Sequence, residues 1–390
     1  GWDRIRFSTS PSVGFSKVEG MTSGGAVTVS WLRGPGIQAQ GRLDRSYWRG
    51  VYEGDAWIGF TAVPRAPAAM PRALRTRITG GGKEAGGGLF ESFDRQSAWS
   101  LRGGYSRRPV PFGTDRPPVN ALQASLLGLD HQSYVDREER FVGLELRPSR
   151  NWLVEGWLTD RRDRSIASAL DPLWQTDPHT WSNPSIDEGR MHGSIARVGW
   201  TRADFGEPMR GAWLQGTAFG GALGGDREFY TLGAELHTSR TQPPFESIEL
   251  EIAAAAAGGE VPRQMLPDLG GSSTLRGHPP RALVGATSFV TRVDFLSAID
   301  PLRKTNIPGV RSLRLQPVLF ADLGAVWGER GWTGVSALRL PRSEDWRSDF
   351  GIGIQRNVNY PGLLSRIRVD LAWRTDRAHD RMRASLALTR

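Results

Sequence analysis

The chain has 390 residues, of which 38% are hydrophobic, and it contains 48 glycines and 15 tryptophans, so a large soluble core is not expected. Because no apolar run approaches the roughly 18 to 20 residues that a membrane helix needs, any membrane-spanning form must be a β-barrel. The formal net charge of +9 comes almost wholly from arginines spread along the chain, a distribution that argues against a nucleic-acid-binding domain.

The sequence lacks the motifs of the common catalytic and metal sites. No cysteine is present, and the 6 histidines have no spacing typical of metal ligands, so we expect neither a metal nor a cofactor. The glycine-rich stretch 80–88 lacks the ending of a phosphate-binding loop, and the triplet Asp-Phe-Gly at 349–351 has no accompanying kinase motifs. Ser272, Ser273 and His278 are more typical of a turn than of a hydrolase. We therefore expect that the protein is not an enzyme.

In chain order, the strongest pattern is alternation of apolar and polar residues, which predicts β-strands with two different faces. Near the start, Val27, Val29 and Trp31 alternate with hydroxyl residues, and in the last such segment Ile367 to Trp373 alternate with charged residues. The same pattern occurs in the stretches AVTVSW (26–31), SIARVGWT (194–201), FYTLGAELHT (229–238), ESIELEIA (246–253) and SRIRVDLAWR (365–374).

A soluble β-sandwich also alternates, so the pattern leaves two fold classes open. Full charges at the strand centres, tryptophans at the ends of the apolar faces, and segments of about ten residues between turns favour a barrel in a membrane. We therefore predict an all-β fold, a closed antiparallel transmembrane β-barrel of about 16 strands, forming one domain over residues 1–390. The stretches 80–88 and 107–119 are predicted to be loops.

Near the start of the last third of the chain, a turn-rich stretch, GGSSTLRGHPP (270–280), carries a single arginine, Arg276. About 45 residues later comes FADLGAVWG (320–328), whose alternation points Phe320, Asp322 and Gly324 toward the barrel interior. Between them, Arg292 and Asp294 share the inward face of another strand. In a shielded interior, a charged side chain is stable only beside a partner of opposite sign.

These motifs resemble those of the outer-membrane protein assembly-factor superfamily, whose members include the Bam insertase, the Tam translocation factor and the two-partner secretion transporters. The resemblance covers roughly 270–373. It implies that an extracellular loop, here 258–283, folds into the lumen as a latch. The latch motif would be Leu275, Arg276, Gly277 and His278, and its lumen partners Asp322, Asp294, Phe320 and Gly324. The resemblance thus predicts that Arg276 contacts Asp322, together with Asp294. The chain departs from the family at His278, where an aromatic residue is usual, and it contains no POTRA repeats.

The resemblance also implies the function. The family inserts or translocates proteins, so we expect a bacterial outer-membrane barrel, a surface antigen of a Gram-negative cell, whose partners are client outer-membrane or secreted proteins and periplasmic proteins or lipoproteins. The first and last strands would meet in a weak seam where client strands add. We place these strands near 26–31 and 382–388, with the seam residues Val27, Val29, Trp31, Ala384 and Leu386.

Two alternatives remain open from the sequence. The barrel could be a passive porin, or a membrane anchor for a missing partner domain or complex. Separately, the arginines near loop ends could bind lipopolysaccharide phosphates or simply keep the loops soluble. We name Arg107, Arg108, Arg161 and Arg162 as these arginines.

Overall fold

A computed structural model describes residues 5–31, 35–62, 99–113, 130, 132–149, 151–168, 182–202, 210–242, 245–300, 315–328, 340–360, 364–376 and 382–389. The strands are β1 (Ile5–Ser16), β2 (Gly20–Trp31), β3 (Pro35–Ser46), β4 (Val51–Ala62), β5 (Trp99–Phe112), β6 (Ser133–Ser149), β7 (Trp152–Arg164), β8 (Gly189–Arg202), β9 (Arg210–Phe219), β10 (Phe229–Gln242), β11 (Phe245–Gly259), β12 (Asp268–Leu269), β13 (Leu283–Val284), β14 (Thr287–Ser297), β15 (Gln316–Trp327), β16 (Trp346–Tyr360), β17 (Leu364–Arg374) and β18 (Met382–Thr389). Short 3₁₀ turns occur at Gly221–Leu223, Arg263–Met265 and Ser343–Asp345.

All strands except β12 and β13 form one 16-stranded sheet in chain order, from β1 to β18. Each strand pairs antiparallel with the next, as in β14 with β15 and β17 with β18. The predicted all-β class, antiparallel arrangement and strand number are therefore confirmed. β12 and β13 pair only with each other, in the segment between β11 and β14. In the described part of the chain, no helix is long and apolar enough to cross a membrane.

The sheet buries its charged face and exposes its apolar face. On β15, Leu319 is 51% exposed whereas its neighbours Phe320 and Asp322 are 4% and 2% exposed. On β16, Ile352 is exposed while Asp349 is buried. A water-soluble sandwich has the opposite distribution, because its apolar face packs inward. The observed distribution is typical of a lipid-facing band around a polar interior.

The first strand of the sheet differs from the prediction. Val27, Val29 and Trp31 lie on β2, which pairs with β1 on one side and β3 on the other, so they do not form a sheet edge. The sequence prediction did not include β1, although Phe7, Val13 and Phe15 alternate with serines and a glycine; Thr9 and Pro11 interrupt the apolar face of this strand. Proline removes a ladder donor and is tolerated chiefly in edge strands, which is where Pro11 lies.

The predicted loop at 107–119 is wrong over its first half, because β5 continues to Phe112. The pairing of β5 with β4 ends at Arg107, whereas its pairing with β6 continues to Phe112. Among the described residues, β5 beyond Arg107 pairs with a strand on one side only. Prolines 109 and 111 lie in this part of β5, where no pairing on the other side is lost. The predicted loop at 80–88 lies outside the described residues.

Candidate functional site: an arginine loop on the buried face of the sheet

Four neighbouring strands carry carboxylates on the buried face of the sheet. Asp294 lies on β14, Asp322 on β15, Asp349 on β16 and Asp370 on β17, and Asp322 stands directly opposite Asp349 in the β15–β16 register. Asp322, Asp349 and Asp370 are each at most 3% exposed. Four carboxylates with little access to solvent would repel one another. The site therefore requires cations that reach this face of the sheet.

The segment 260–286, which we call the arginine loop, supplies one of these cations. It starts two residues later than predicted, because Gly258 and Gly259 still belong to β11. Its Arg276 is 1% exposed and binds Asp322 with both ends of the guanidinium fork, Nε lying 2.8 Å from Oδ2 and Nη2 contacting Oδ1. Nη1 donates to Asp294 Oδ1 at 2.7 Å. The predicted contacts of Arg276 with both carboxylates are present.

Further contacts fix the position of this guanidinium. The backbone N–H of Arg276 donates to Asp322 Oδ2 at 3.2 Å, and its Cζ lies 3.7 Å from the centroid of the Phe320 ring. Burial alone would lower the pKa of Arg276, but the adjacent Asp294 and Asp322 outweigh burial and raise that pKa above its ordinary value. The cation therefore remains charged and joins β14 to β15.

The residues on either side of Arg276 fit closely against the strands. Leu275 is fully buried and clusters with Leu269 and Val290. The backbone N–H of Gly277 donates to Asp349 Oδ2 at 2.8 Å. A Cβ at position 277 would lie 2.9 Å from Asp349 Cβ, and one at Gly324 would lie 2.8 Å from Leu269 Cδ1. Both glycines therefore allow the loop and the sheet to approach each other closely.

His278, which replaces the aromatic residue usual in the family, lies beside carboxylates. Its Nδ1 lies 3.4 Å from Asp349 Oδ2 and its Nε2 3.6 Å from Asp376 Oδ2. Its backbone carbonyl accepts a hydrogen bond from Arg383 Nη1 on β18. The loop is thus linked to the last strand of the sheet as well as to β14–β16.

Sequence reasoning did not assign several residues that complete the site. Arg368 on β17 donates to Asp294 Oδ2 from Nη1 and to Asp370 Oδ1 from Nε, each at 2.8 Å. Arg292 Nη1 donates to the Ser273 carbonyl at 2.8 Å. The alternation that assigned Asp322 to the inward face also places Arg368 and Asp370 there. Alternation along β17 could therefore have identified both residues.

The predicted seam residues are not brought together. Val27, Val29 and Trp31 lie on the second strand, whereas Ala384 and Leu386 lie on β18 and pair with Leu371 and Val369 of β17. β1 and β18 are the terminal strands in the order of the sheet.

The four arginines named for phosphate binding divide between the two faces. Arg161 is buried and binds Glu139 Oε1 at 3.1 Å, and Arg108 lies 3.8 Å from Asp55 on the same inward side. Arg161 and Arg108 therefore do not face the outer surface. Adjacent side chains of a strand point to opposite faces, so their neighbours Arg162 and Arg107 point outward. Arg107 and Arg162 lie on the exposed face, as expected for such a role.

No known protein-family profile and no curated protein matches the sequence. Among solved structures, the chain resembles BamA from Haemophilus ducreyi lacking POTRA domains 1–3, with a TM-score of 0.54 and 13% identity, over 99% of this chain and 70% of that one. It also matches CdiB from Acinetobacter baumannii (TM-score 0.46, 10% identity, 98% of this chain and 59% of that one) and the outer membrane protein OprD from Pseudomonas aeruginosa (0.36, 13%, 98% and 86%).

The chain therefore has the all-β fold of an outer-membrane barrel, and this fold resembles that of the BamA barrel. This fold, with its exposed apolar face, indicates a location in the bacterial outer membrane.

Proposed function

We propose that this chain is a closed barrel that inserts or translocates proteins across the outer membrane, with the arginine loop acting as a latch in its lumen. The observation that carries the proposal is the hydrogen-bonded clamp between Arg276 and Asp322. The clamp fixes the loop to the wall that would enclose the lumen, as a latch requires.

Closure is supported by the edges and faces of the sheet. An open 16-stranded sheet would leave the outer edges of β1 and β18 unpaired in the membrane, where unpaired backbone groups are costly. Closure would give each edge a partner and enclose the charged face. The arginine loop, which packs on that face, would then lie in the lumen.

The link between Arg383 and the His278 carbonyl suggests how the latch could affect the seam. β18 is short, with 8 residues, and it carries the arginine that reaches the loop. In β1, Pro11 lacks a backbone donor. A seam between these strands would be weak, and a client strand could pair with an opened edge by β-augmentation. Periplasmic proteins or lipoproteins that deliver clients would be its further partners.

Locking the terminal strands tests this mechanism. Because the chain has no cysteine, introduced pairs would be its only thiols. We would combine Ser8→Cys, Ser10→Cys or Ser12→Cys on β1 with Ser385→Cys on β18, all on the polar faces of their strands, and measure insertion of an unfolded outer-membrane barrel into proteoliposomes. Oxidation should stop insertion, since the edge is no longer available, and reduction should restore it.

The matched control is a disulfide between Ala39→Cys and Ile58→Cys, which stand opposite each other on β3 and β4. It should leave insertion unchanged. Full insertion by a seam-locked barrel would disprove the gate, and failure of every β1–β18 pair to crosslink would disprove the seam.

A passive channel or an anchor for a partner domain is the second candidate. The buried face of β5–β8 carries ion pairs such as Arg102 with Glu145 and Arg137 with Asp163. A polar interior of this kind is typical of water-filled channels. Conductance separates the two candidates, as described in the Discussion.

A further inference from the structure

The exposed face of β5–β8 carries a row of basic side chains at one end. In the pairing registers, Arg107, Glu138, Arg162 and Arg190 stand opposite one another across the four strands. One step along the strands, Arg140 and Asp160 face the same way. We call the set Arg107, Glu138, Arg140, Asp160, Arg162 and Arg190 the arginine band.

The carboxylates of the arginine band are already engaged. Asp160 accepts two hydrogen bonds from Arg190, at 2.9 and 2.8 Å, and Glu138 lies 3.2 Å from Arg164. Among the residues that the structure describes, Arg107, Arg140 and Arg162 have no ion pair. The arginine band therefore presents a net positive charge to an anion that approaches from outside.

Directly beside the arginine band the same face becomes aliphatic. Val142 and Leu144 follow Arg140 on β6, and Leu158 precedes Asp160 on β7; all three are exposed. Each step of two residues is about 7 Å along a strand. At the far end of the face, Trp99 and Trp152 are exposed and mark the other membrane boundary. A basic row above an aliphatic strip matches a lipid with an anionic headgroup and acyl chains.

The arginine band lies at the same end of the sheet as the base of the arginine loop. Arg263, in that loop, donates its backbone N–H to Asp187, which lies two residues before β8 begins. If the loop enters the lumen from outside the cell, the arginine band lies at the level of the outer-leaflet headgroups.

We propose that the arginine band binds the phosphate groups of a phosphorylated glycolipid of the outer leaflet, while its acyl chains lie on the aliphatic strip below. Guanidinium groups bind phosphate bidentately, so Arg107, Arg140 and Arg162, which have no ion pair within the described part of the chain, provide three forks for one headgroup. This inference rests on the proposed membrane orientation and not on client insertion.

The probe is bis-phosphorylated lipid A, added to the purified chain in detergent micelles, with bound lipid counted by native mass spectrometry. The triple variant Arg107→Gln, Arg140→Gln, Arg162→Gln should bind it at least about tenfold more weakly, since charge-assisted hydrogen bonds are lost. Dephosphorylated lipid A should bind the unchanged chain as weakly as the triple variant binds the phosphorylated form. Heat-modifiable migration on a gel verifies folding, and client insertion, measured separately, should not change.

The control triple, Arg6→Gln, Arg240→Gln and Arg342→Gln, removes the same charge from exposed positions outside the arginine band. It should keep its lipid A. Equal losses in both triples would show that net charge alone attracts the lipid, and displacement of lipid A by equimolar inorganic phosphate would show a site for free anions. Either result would overturn the proposal. Replacing the three arginines by lysine should give intermediate binding, because the charge remains and the bidentate geometry does not.

Discussion

Arg276 uses its guanidinium and its backbone N–H to hold two strands at once. Its fork binds Asp322, its remaining nitrogen binds Asp294, and its planar face stacks on Phe320. Arg368 satisfies the other oxygen of Asp294. Because Arg276, Asp322, Asp294 and Arg368 each have a partner of opposite sign, removing one leaves another buried and uncompensated.

At the residue scale, Arg276→Ala should therefore destabilise the attachment of the loop by about 3 kcal/mol, and by less if water in the lumen screens Asp322. The loop should leave the sheet and become sensitive to protease added from outside. Limited proteolysis of the barrel in micelles, with the cut sites located by mass spectrometry, measures this.

Exchanging the charges, as Arg276→Asp with Asp322→Arg, provides the control for that experiment. It should restore only part of the protease resistance, because the exchanged carboxylate would stand beside Asp294. A loop in Arg276→Ala that stays as resistant as in the unchanged chain would contradict a clamping role.

The arginine loop packs closely on β15 and β16 because glycines at two contact positions leave no side chain between the loop and the sheet. Gly324 leaves room for Leu269 and Leu275 over β15, and Gly277 lets the loop backbone reach Asp349 on β16. The terminal strand β18 joins the same assembly through Arg383. Movement of the loop and of β18 should therefore be coupled.

Gly277→Ala tests this close approach. The added methyl would lie 2.9 Å from Asp349 Cβ and 3.0 Å from Arg374 Cγ, so the loop must move away from β16, at a cost of about 1–3 kcal/mol. We expect the loop to be released at a lower denaturant concentration than in the unchanged chain. The fluorescence of a dye attached to an introduced cysteine, Ser272→Cys, measures this release.

Gly156→Ala on β7 is the matched control, because a Cβ there meets nothing within 4 Å. It should leave loop release unchanged. If both alanines behave alike, the glycine at 277 does not set the distance between loop and sheet.

At the scale of the whole molecule, the proposed latch and a passive channel predict different conductance. A loop held on the buried face by Leu275, Arg276 and His278 fills space that a channel would leave to water. In planar bilayers the unchanged chain should conduct poorly and irregularly, and deletion of 270–280 should give a larger, steady conductance. A steady, open conductance in the unchanged chain, the same after the deletion, would instead support the passive channel.

Much of this architecture follows from the sequence, because the face to which a strand side chain points depends only on its position along that strand. Alternation alone places Leu319 outward and Asp322 inward, and the chain length, at roughly 24 residues per strand with its connection, gives about 16 strands. The pairing of Arg276 with Asp322 is predicted by the resemblance of their motifs to those of the assembly-factor barrels, and it agrees with the cost of leaving either charge alone in a shielded interior.

Only the tertiary structure decided which strands end the sheet and which side chains meet across it. The proline-containing end of β5 lacks clear alternation, because a strand end with a missing neighbour tolerates residues that a central strand does not. In β1, Pro11 interrupts an apolar face that otherwise alternates with serines. Parity put Arg368 and Asp370 on the inward face, but their meeting with Arg276 depends on registers between β14 and β17, which are set by contacts far apart in the chain. The same registers separate the inward Arg161 from the outward Arg162 and align the latter with Arg107 and Arg190, which no local pattern specifies.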